Sequence, residues 1–515
     1  MKIFTKLFQE VNTYYVDEIS PTTMMNAGIE AMLNTLDPYT NYIPEDKIED
    51  YRTMTTGEYG GLGVVVGNRN GQVTVLMPNE GYAAFKAGLH IGDKIIKVDD
   101  VEINEKNADE ISKLLKGQAG TDVVLTIDRF GEEKPLQVTL TREKIHLKNV
   151  PYYGMVTDDI GIIQLKDFTR KASKEVKDAL IDLKEKGAKK VILDLRGNPG
   201  GLLSEAIDIS NIFLPKGVEV VTTKGKIEDW NRSHRALNNP IDTDIPMAVL
   251  ISRSSASAAE IVSGVIQDYD RGVLVGERSF GKGLVQATRP LEYNSKLKVT
   301  VAKYYIPSGR CIQAIDYSHR DEMGKPEEVP DSLRMAFETK NGRVVYDGGG
   351  VLPDVTVKGF NYAQITRSLI SKGLIFDYAT TFHHEHTSIS SAKQFELSDT
   401  EFEKFVNWLK GKDYDYKTKI ERSLAKLIDS AKEDKYYNEV KTEIEDLKKK
   451  IYHNKESDVM NFKDEIKEVL EAEIAKRYYL EAGEIEASFD DDEDIKEAVE
   501  ILNNDARYKK ELGQN

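Results

Sequence analysis

The pattern of apolar and polar residues changes several times along the chain, and each change marks a different kind of predicted structure. Residues 1–56 follow a helical period, interrupted by a turn at LDPYTNYIPED. Short β-rich segments such as GLGVVVG, QVTVLM and DVVLTIDRF then alternate with turns that contain glycine. The pattern therefore predicts an N-terminal helical segment at 1–56 and a small β-rich module at 57–143.

Strands and helices alternate over residues 144–359. The apolar runs DIGIIQLKDF, KKVILDLRG, MAVLIS and GVLVGE predict buried strands, and amphipathic segments such as KEVKDALIDLKEKG predict the helices between them. This order is typical of a layered βα domain, which gives a mixed α/β fold class. Residues 360–515 are instead rich in Lys and Glu at helical spacing and predict a helical C-terminal region.

Composition narrows the functional classes. The 515 residues carry a net charge of -16, with a pI near 5.2, which argues against a general binder of nucleic acids or anionic membranes. One cysteine, Cys311, excludes an internal disulfide bond. The amphipathic N-terminus has no long apolar core of a signal peptide. We therefore expect either a cytosolic protein or one whose export signal lies outside this sequence.

Ser257 is the first candidate for chemistry, because it follows the predicted strand MAVLIS and opens a predicted helix. Ser257 and Glu260 fit the capping box S-x-x-E, so the serine can simply cap the helix. The alternative is a nucleophile, since the free N–H groups and positive end of a helix can stabilise an oxyanion. The segment alone leaves both interpretations open.

A nucleophilic serine needs a base, and the histidines offer none. No serine is flanked as G-x-S-x-G, and no H-E-x-x-H is present, so neither a Ser-His-Asp hydrolase nor a zinc peptidase is supported. The run HHEH, His383 to His386, lies in a polar stretch that we expect to be a surface loop. No metal and no organic cofactor are expected.

Lys282 is a candidate base, because apolar surroundings lower the pKa of a lysine by several units. Its sequence neighbours are apolar, and Gly281 and Gly283 on either side allow close approach of the backbone. The same segment also fits the pattern G-x-x-x-x-G-K, starting at Gly276, which is most of the sequence motif of a phosphate-binding loop. Gly283 stands where the magnesium-binding Ser or Thr belongs, so a nucleotide hydrolase is kept only as an alternative and no nucleotide is expected.

Together, SSASAAEIVSG and VLVGERSFGKGLVQ closely resemble the C-terminal processing (tail-specific) proteases, a family of serine–lysine peptidases. The resemblance implies that Ser257 is the nucleophile and Lys282 the general base, and that Gln286 orients the lysine. LDPYTNYI and VLPDV also resemble segments of this family, and the resemblance extends over residues 10 to 357. It implies a crotonase-like catalytic core at 144–359 and no cofactor.

The segment LDLRGNPGGLL resembles a second motif of the family, in which a glycine pair carries one donor of the oxyanion hole. The resemblance places that donor on Gly200 or Gly201 and the other on the N–H of Ala258. A glycine-rich turn between a strand and a helix is compatible with this role.

The β-rich module resembles a PDZ domain, which binds an extended C-terminal peptide as an added strand. GGLGVVV fits the loop that takes the peptide carboxylate, so Gly61, Leu62 and Gly63 are the candidate peptide-binding residues. Relatives often carry Arg-Gly where this chain has Lys116-Gly117, so a role for Lys116 in linking the module to activity is left open.

The resemblance implies a serine endopeptidase that cuts proteins and peptides with free C-termini, located outside the bacterial cytoplasm, most often in the periplasm. The alternative is a catalytically silent PDZ scaffold that only captures such tails. A homo-oligomer, most simply a dimer, is expected to form through the helical region. Its predicted contact is an apolar stripe formed by Phe402, Phe405, Trp408 and Leu409, and the alternative is that this stripe packs only onto the catalytic domain of the same chain.

Overall fold

The computed structural model describes residues 2–103, 108–321, 324–359, 361–451 and 455–514. These residues form two compact units. The first comprises Met1–Glu58, Leu147–Lys358 and Glu497–Asn515, and the second comprises Tyr59–His146 and Gly359–Lys496. The final segment, Glu497–Asn515, therefore belongs to the same unit as the predicted catalytic core, although it is as rich in Lys and Glu as the helices before it.

The N-terminal segment is mostly helical. Ser20 caps the second helix by accepting a hydrogen bond from the N–H of Thr23, and Pro21 fills the first helical position. After this helix, the Asp37 carboxylate accepts hydrogen bonds from the N–H groups of Tyr39 and Thr40, at 2.8 and 2.9 Å, and so fixes a tight turn. The elements are α1 (Lys2–Tyr14), α2 (Pro21–Asn34), β1 (Asn41–Ile43) and α3 (Ile48–Thr56).

The β-rich module is built on an antiparallel sheet in the order β3-β4-β5-β7-β8, with β6 on β5. Apolar side chains alternate along β7 and bury a core against α5, which also packs beside β3. Strand β3 is the edge of this sheet. The elements are β2 (Glu58–Gly61), β3 (Val64–Arg69), β4 (Gln72–Pro78), α4 (Ala83–Lys86), β5 (Lys94–Val98), β6 (Val101–Glu102), α5 (Ala108–Leu115), β7 (Asp122–Asp128), β8 (Leu136–Thr141) and β9 (Glu143–His146).

The central region contains two larger sheets. Its elements are β10 (Tyr152–Met155), β11 (Ile160–Gln164), α6 (Ala172–Glu185), β12 (Lys190–Asp194), α7 (Leu203–Phe213), β13 (Glu219–Gly225), β14 (Arg232–Arg235), β15 (Met247–Ile251), α8 (Ala258–Asp268), β16 (Val273–Gly276), β17 (Leu284–Pro290), β18 (Lys296–Tyr305), β19 (Ile315–Arg320), β20 (Pro326–Glu328), β21 (Ala336–Glu338), β22 (Val344–Tyr346) and β23 (Val355–Thr356).

The first of these sheets has the order β10-β11-β12-β15-β16-β23 and is parallel from β11 onward. Its inner strands β11, β12, β15 and β16 are mostly apolar and share one core with helices α6, α7 and α8, as buried parallel strands do. Because the carboxyl ends of parallel strands meet at one edge, the loops after β12, β15 and β16 come together there. The expected mixed α/β class is confirmed.

The second sheet has the order β1-β18-β13-β14, with β17 also paired to β18. It joins the N-terminal segment to the core, because β1 pairs with β18 through Asn41 and Lys298, far apart in sequence. Strand β17 continues directly from the loop that contains Lys282. This sheet therefore forms a wall beside the edge where the parallel strands end.

The C-terminal region is helical, as expected, but its apolar stripe is not available to a partner. Phe402, Phe405 and Leu409 are at most 1% exposed because they lie in the core of the second unit, so the expectation that this stripe mediates assembly is wrong. The helices are α9 (Gln364–Ser371), α10 (Leu374–Glu385), α11 (Asp399–Trp408), α12 (Lys419–Glu433), α13 (Tyr437–Ile451), α14 (Lys455–Asn461), α15 (Lys463–Ala487), α16 (Glu493–Asn503) and α17 (Asp505–Glu511).

Among the described residues, no helix combines the length and the apolar character needed to cross a bilayer.

Candidate active site

Ser257 lies in the turn between β15 and α8, in an unusual backbone conformation. Its φ is 54° and its ψ is -111°, whereas an ordinary helix cap has an extended backbone with negative φ. A non-glycine residue held at such angles costs about 1–3 kcal/mol, and such strain concentrates at functional sites. A sharp strand-to-helix turn of this kind projects a serine hydroxyl from the sheet edge. The conformation goes beyond what capping requires.

Glu260, in the first turn of α8, holds this turn in place. Its carboxylate is fully buried and accepts four hydrogen bonds. One oxygen accepts from the N–H groups of Ser257 and Lys282, at 2.8 and 2.9 Å. The other accepts from the Ser279 hydroxyl at 2.5 Å and the Gly281 N–H at 2.7 Å. Burial raises the pKa of Glu260, and the four donors act in the opposite direction.

The same hydrogen bonds explain the resemblance to a phosphate-binding loop. In a phosphate-binding loop the backbone N–H groups turn towards a phosphate. Here those of Gly281 and Lys282 donate to Glu260, so a carboxylate of the protein itself occupies that position. The sequence interpretation treated Glu260 only as part of a capping box. The signal that would have identified it is a carboxylate within an otherwise apolar helix, AAEIVSGVI.

Lys282 is half-buried and its side chain lines the same cavity as Ser257. Burial lowers its pKa to about 8, and the nearby ammonium of Lys298 acts in the same direction. Its ammonium lies 4.3 Å from the centroid of the Tyr39 ring, a cation–π contact. A substantial neutral fraction near neutral pH is what a lysine base requires.

Tyr304, on β18, is a second residue, besides Glu260, that contacts the backbone of both Ser257 and Lys282. Its hydroxyl lies 2.7 Å from the carbonyl oxygen of Lys282 and 3.1 Å from that of Ser257. Tyr304 is 1% exposed, and burial raises its pKa well above the usual value. The hydroxyl therefore stays protonated and can donate. No motif in the sequence pointed to this residue.

The loop after β12 reaches the Ser257 turn closely. A Cβ added to Gly200 would lie 2.8 Å from the N–H nitrogen of Ala258 and 2.8 Å from the Ser257 Cβ, which only glycine avoids. The N–H of Gly200, however, donates to the Asn198 side chain at 2.8 Å. Within the described residues the N–H groups of Gly201 and Ala258 have no such acceptor. Of the two predicted glycines, Gly201 is therefore the one whose N–H has no acceptor among the described residues, and its role in an oxyanion hole stays a prediction.

Gln286 lies on β17, and its side-chain amide donates to the Thr300 hydroxyl at 3.2 Å. Thr300 lies opposite Gln286 on β18, and its N–H donates to the Thr40 hydroxyl at 3.2 Å. Gln286 is thus fixed between two strands beside the cavity. Its role in orienting Lys282 stays a prediction.

The cavity has a volume of about 560 Å³ and brings the predicted site residues of the core together. Ser257, Lys282, Gln286, Gly200, Gly201 and Ala258 all line it. Apolar side chains from several elements, Met54, Leu147, Leu203, Ile261 and Leu284, complete its walls. A cleft of this size with mostly apolar walls and a few polar groups is suited to bind an extended peptide beside a nucleophile.

The predicted peptide-binding loop lies in the other unit. Gly61 to Gly63 join β2 to the edge strand β3, and Leu62 is buried. Gly63 has φ 69°, and a Cβ there would lie 2.4 Å from the Tyr82 Cβ, so glycine is required. The carbonyls of Leu62 and Gly63 are used inside the module, whereas their N–H groups donate to none of the described residues. The loop therefore offers backbone donors next to an unpaired strand edge.

The HHEH run does not form the surface loop expected from the sequence. His383 to Glu385 lie in the last turn of α10, and the His383 ring centroid lies 4.7 Å from that of Tyr478. Burial lowers the pKa of His383 to about 4. The expectation of a loop is wrong because these polar residues continue a helix that buries one face.

Three regions of the chain match known families. Residues 159–318 match "Peptidase family S41", residues 60–140 match "PDZ domain", and residues 365–502 match "Probable PDZ-protease, C-terminal helical domain". The chain is 40% identical over 316 residues to a carboxy-terminal-processing protease of Bartonella bacilliformis, a match that covers 61% of this chain and 72% of that protein. With a "Probable CtpA-like serine protease" of Staphylococcus aureus it shares 37% identity over 309 residues, 59% of this chain and 61% of that protein.

Two solved structures are among those to which the chain is similar. The photosystem II D1 C-terminal processing protease is 25% identical, with a TM-score of 0.37, and the match covers 69% of this chain and 92% of that one. A peptide complex of the PDZ domain of a Vibrio cholerae carboxy-terminal protease is 28% identical, with a TM-score of 0.16, covering 18% of this chain and 99% of that one.

The fold and the matched regions define a serine peptidase that carries a PDZ domain. The chain belongs to the carboxy-terminal-processing proteases of peptidase family S41. The family implied by its serine and lysine motifs is confirmed.

Proposed function

We propose that this chain hydrolyses peptide bonds near the C-termini of proteins, with Ser257 as nucleophile and Lys282 as general base. One observation carries the assignment: a single oxygen of the buried Glu260 carboxylate accepts hydrogen bonds from the N–H groups of both residues. The two residues are therefore held on one rigid support beside one cavity. Rigid support of the reacting groups is a general requirement of catalysis.

The proposed steps follow from these positions. The Ser257 hydroxyl oxygen attacks the peptide carbonyl while the neutral amine of Lys282 takes its proton. The N–H groups of Ala258 and Gly201 donate to the oxyanion that forms. The Lys282 ammonium then returns the proton to the leaving amine, which leaves an acyl ester on Ser257. Lys282 then takes a proton from a water molecule, whose oxygen attacks that ester. As the ester C–O bond breaks, Lys282 returns the proton to the Ser257 oxygen and the second product leaves.

The PDZ domain supplies the preference for chain ends in this proposal. An extended C-terminal peptide would pair with the free edge of β3, as peptides do when they extend an exposed sheet. Its carboxylate would accept from the N–H groups of Leu62 and Gly63, which have no acceptor among the described residues. Substrates would thus be proteins and peptides with free C-terminal carboxylates.

Comparison of protein C-termini in cells with the wild-type enzyme and with Ser257→Ala tests the proposal. We expect new C-termini that require Ser257. A peptide pair that differs only in a free or amidated C-terminus tests the PDZ domain, because amidation removes the charge that the loop would bind. Slower cleavage of the amidated peptide is expected. A silent scaffold would capture tails but produce no Ser257-dependent termini.

Two further parts of the proposal concern location and assembly. We place the enzyme outside the cytoplasm, as for its family, and fractionation of cells checks this. We also propose a homo-oligomer, most simply a dimer. Apolar side chains remain exposed on the helical pair α12–α13, where Ile420, Leu427 and Leu447 are 57%, 52% and 43% exposed. Exposed apolar patches are common at interfaces between subunits.

Light scattering tests the assembly with the double variant Leu427→Glu/Leu447→Glu. Because the two substitutions place charge on the exposed apolar surface of α12 and α13, they should lower the particle mass to that of one chain. An unchanged mass would show that this helical pair does not mediate assembly.

A further inference from the structure

A second lysine, Lys298, lies in the same cavity as Ser257 and Lys282. It lies on β18, where its backbone pairs with Asn41 of β1 and Thr288 of β17. Two neighbouring strands therefore flank it, and its side chain is half-buried. Among the described residues, no carboxylate forms an ion pair with its ammonium. A half-buried cation without a counter-ion, in a catalytic cleft, calls for a function.

The charged groups around Lys282 indicate how the Lys298 ammonium can affect it. Lys298 is the only one of the described groups that acts on Lys282 as a like charge, from β18. The acidic groups that act on it are Glu260, from α8, and Asp37, from the turn before β1. Both carboxylates are already engaged: Glu260 by four donors, and Asp37 by the N–H groups of Tyr39 and Thr40. The Tyr39 ring also contacts the ammonium of Lys282, and this cation–π contact favours the charged amine.

We propose that the ammonium of Lys298 repels a proton on Lys282 across the shared cavity and so keeps Lys282 available as a base near neutral pH. Lys298 is a positioning residue in this role, because it acts through Lys282 and not on the substrate. A neighbouring cation is an established way to activate a lysine. This inference rests on the assignment of Lys282 as the base.

The measured quantity is kcat/KM of the full chain between pH 6 and pH 10, for a peptide with a free C-terminus. In Lys298→Gln, the apparent pKa of the ascending limb should rise by about 0.5–1 unit, which is the order expected for a charge pair in a partly solvated cleft. Activity at pH 7 should fall about three- to tenfold, and the rates should approach wild type above that pKa. Lys298→Met, which lacks the charge and also a polar head, should behave in the same way.

Two matched variants separate this role from a structural one. Lys298→Arg keeps the charge at every pH tested, so its profile should stay at or below the wild-type pKa with activity retained at pH 7. Lys303→Gln removes one charge from an exposed position on the same strand and should leave the profile unchanged.

The proposal is wrong if Lys298→Gln loses activity by the same factor at all pH values, or if its apparent pKa does not move. An inactive Lys298→Arg would also overturn it, because that result would make Lys298 itself the base. The parent assignment fails separately: activity that persists in Lys282→Arg would remove Lys282 as the base, whatever Lys298 does.

Discussion

Glu260 accepts four hydrogen bonds, which is more than capping of a helix requires. Two of them come from the N–H groups of Ser257 and Lys282, so Glu260 links the two residues of the proposed dyad. The sequence identified Ser257 and Lys282 through their motifs, but it gave Glu260 only a local role. A contact between Glu260 and the loop at Lys282 depends on how β15 and β16 pair, which no local pattern reveals. Tyr304 and Tyr39 were missed for the same reason.

Glu260→Gln should destabilise the protein and abolish most activity. An amide offers one acceptor oxygen where two oxygens now serve four donors, so at least one donor pair would face an NH₂ group. Each buried donor left unpaired costs about 1–3 kcal/mol. Thermal unfolding and kcat measure the two effects. Glu277→Gln, whose partner Arg253 is exposed, is the control and should change stability by about 0–1 kcal/mol. A fully active Glu260→Gln enzyme would contradict this role.

The pH dependence of kcat/KM follows from the lowered pKa of Lys282. Because the neutral amine is the base, activity should rise about tenfold per pH unit and level off above pH 8, where that pKa lies. The ammonium form dominates below this value, so activity is lost as the pH falls. A rate profile over pH 6–10 measures this. If replacing His234, a histidine on β14, by alanine removed this limb, a histidine and not Lys282 would be the base.

Among the secondary-structure elements, the strands of the parallel sheet and the helix α6 were predictable, because each inner strand carries an apolar run and α6 keeps one apolar face. The second sheet was not predicted. The alternating pattern KLKVTVAKYY of β18 is typical of a strand, but β1 is only three residues long and has no strong signal of its own. Their pairing joins residues far apart in the chain, and the Lys298 wall of the cavity depends on it.

Gly200→Ala tests the contact between the loop after β12 and the Ser257 turn. A methyl group would lie 2.6 Å from the Ala256 carbonyl oxygen and would also occupy a backbone with φ 95°. We expect a loss of about 1–3 kcal/mol in stability from strain. Displacement of the oxyanion donors should lower kcat about 100-fold. Circular dichroism melts and initial rates measure the two effects.

Gly187→Ala is the matched control for this variant. Gly187 has φ 102°, but an added Cβ would meet no atom within 4 Å. The control should therefore lose stability by strain alone and keep its kcat. Equal losses of activity in the two variants would show that strain, and not the contact with Ser257, explains the effect.

At the scale of the whole molecule, the chain end returns to the catalytic unit. The hydroxyl of Tyr508, on α17, accepts from the N–H of Met247, at the start of the central strand β15, at 3.1 Å. The carbonyl of Leu512 accepts from the Asn341 side chain at 2.7 Å. The sequence could not show this, because these last helices share the composition of the preceding ones. What separates them is the tertiary packing alone.

Tyr508→Phe should lower the stability of the catalytic unit by about 1–3 kcal/mol, because the N–H of the fully buried Met247 would lose its acceptor. Activity per folded molecule should not change. Chemical denaturation measures the effect, and Tyr293→Phe is the control, since Tyr293 is 90% exposed. Equal stability of the two variants would mean that the Tyr508 hydrogen bond contributes nothing to the fold.

The serine–lysine mechanism is tested by reaction of the full chain with a fluorophosphonate, followed by mass spectrometry to locate the adduct. A single adduct on the Ser257 hydroxyl is expected. In Lys282→Ala, formation of that adduct should slow by at least about 100-fold, as expected when a general base is removed. An adduct on another serine, or labelling of Ser257 at the same rate without Lys282, would contradict the serine–lysine mechanism.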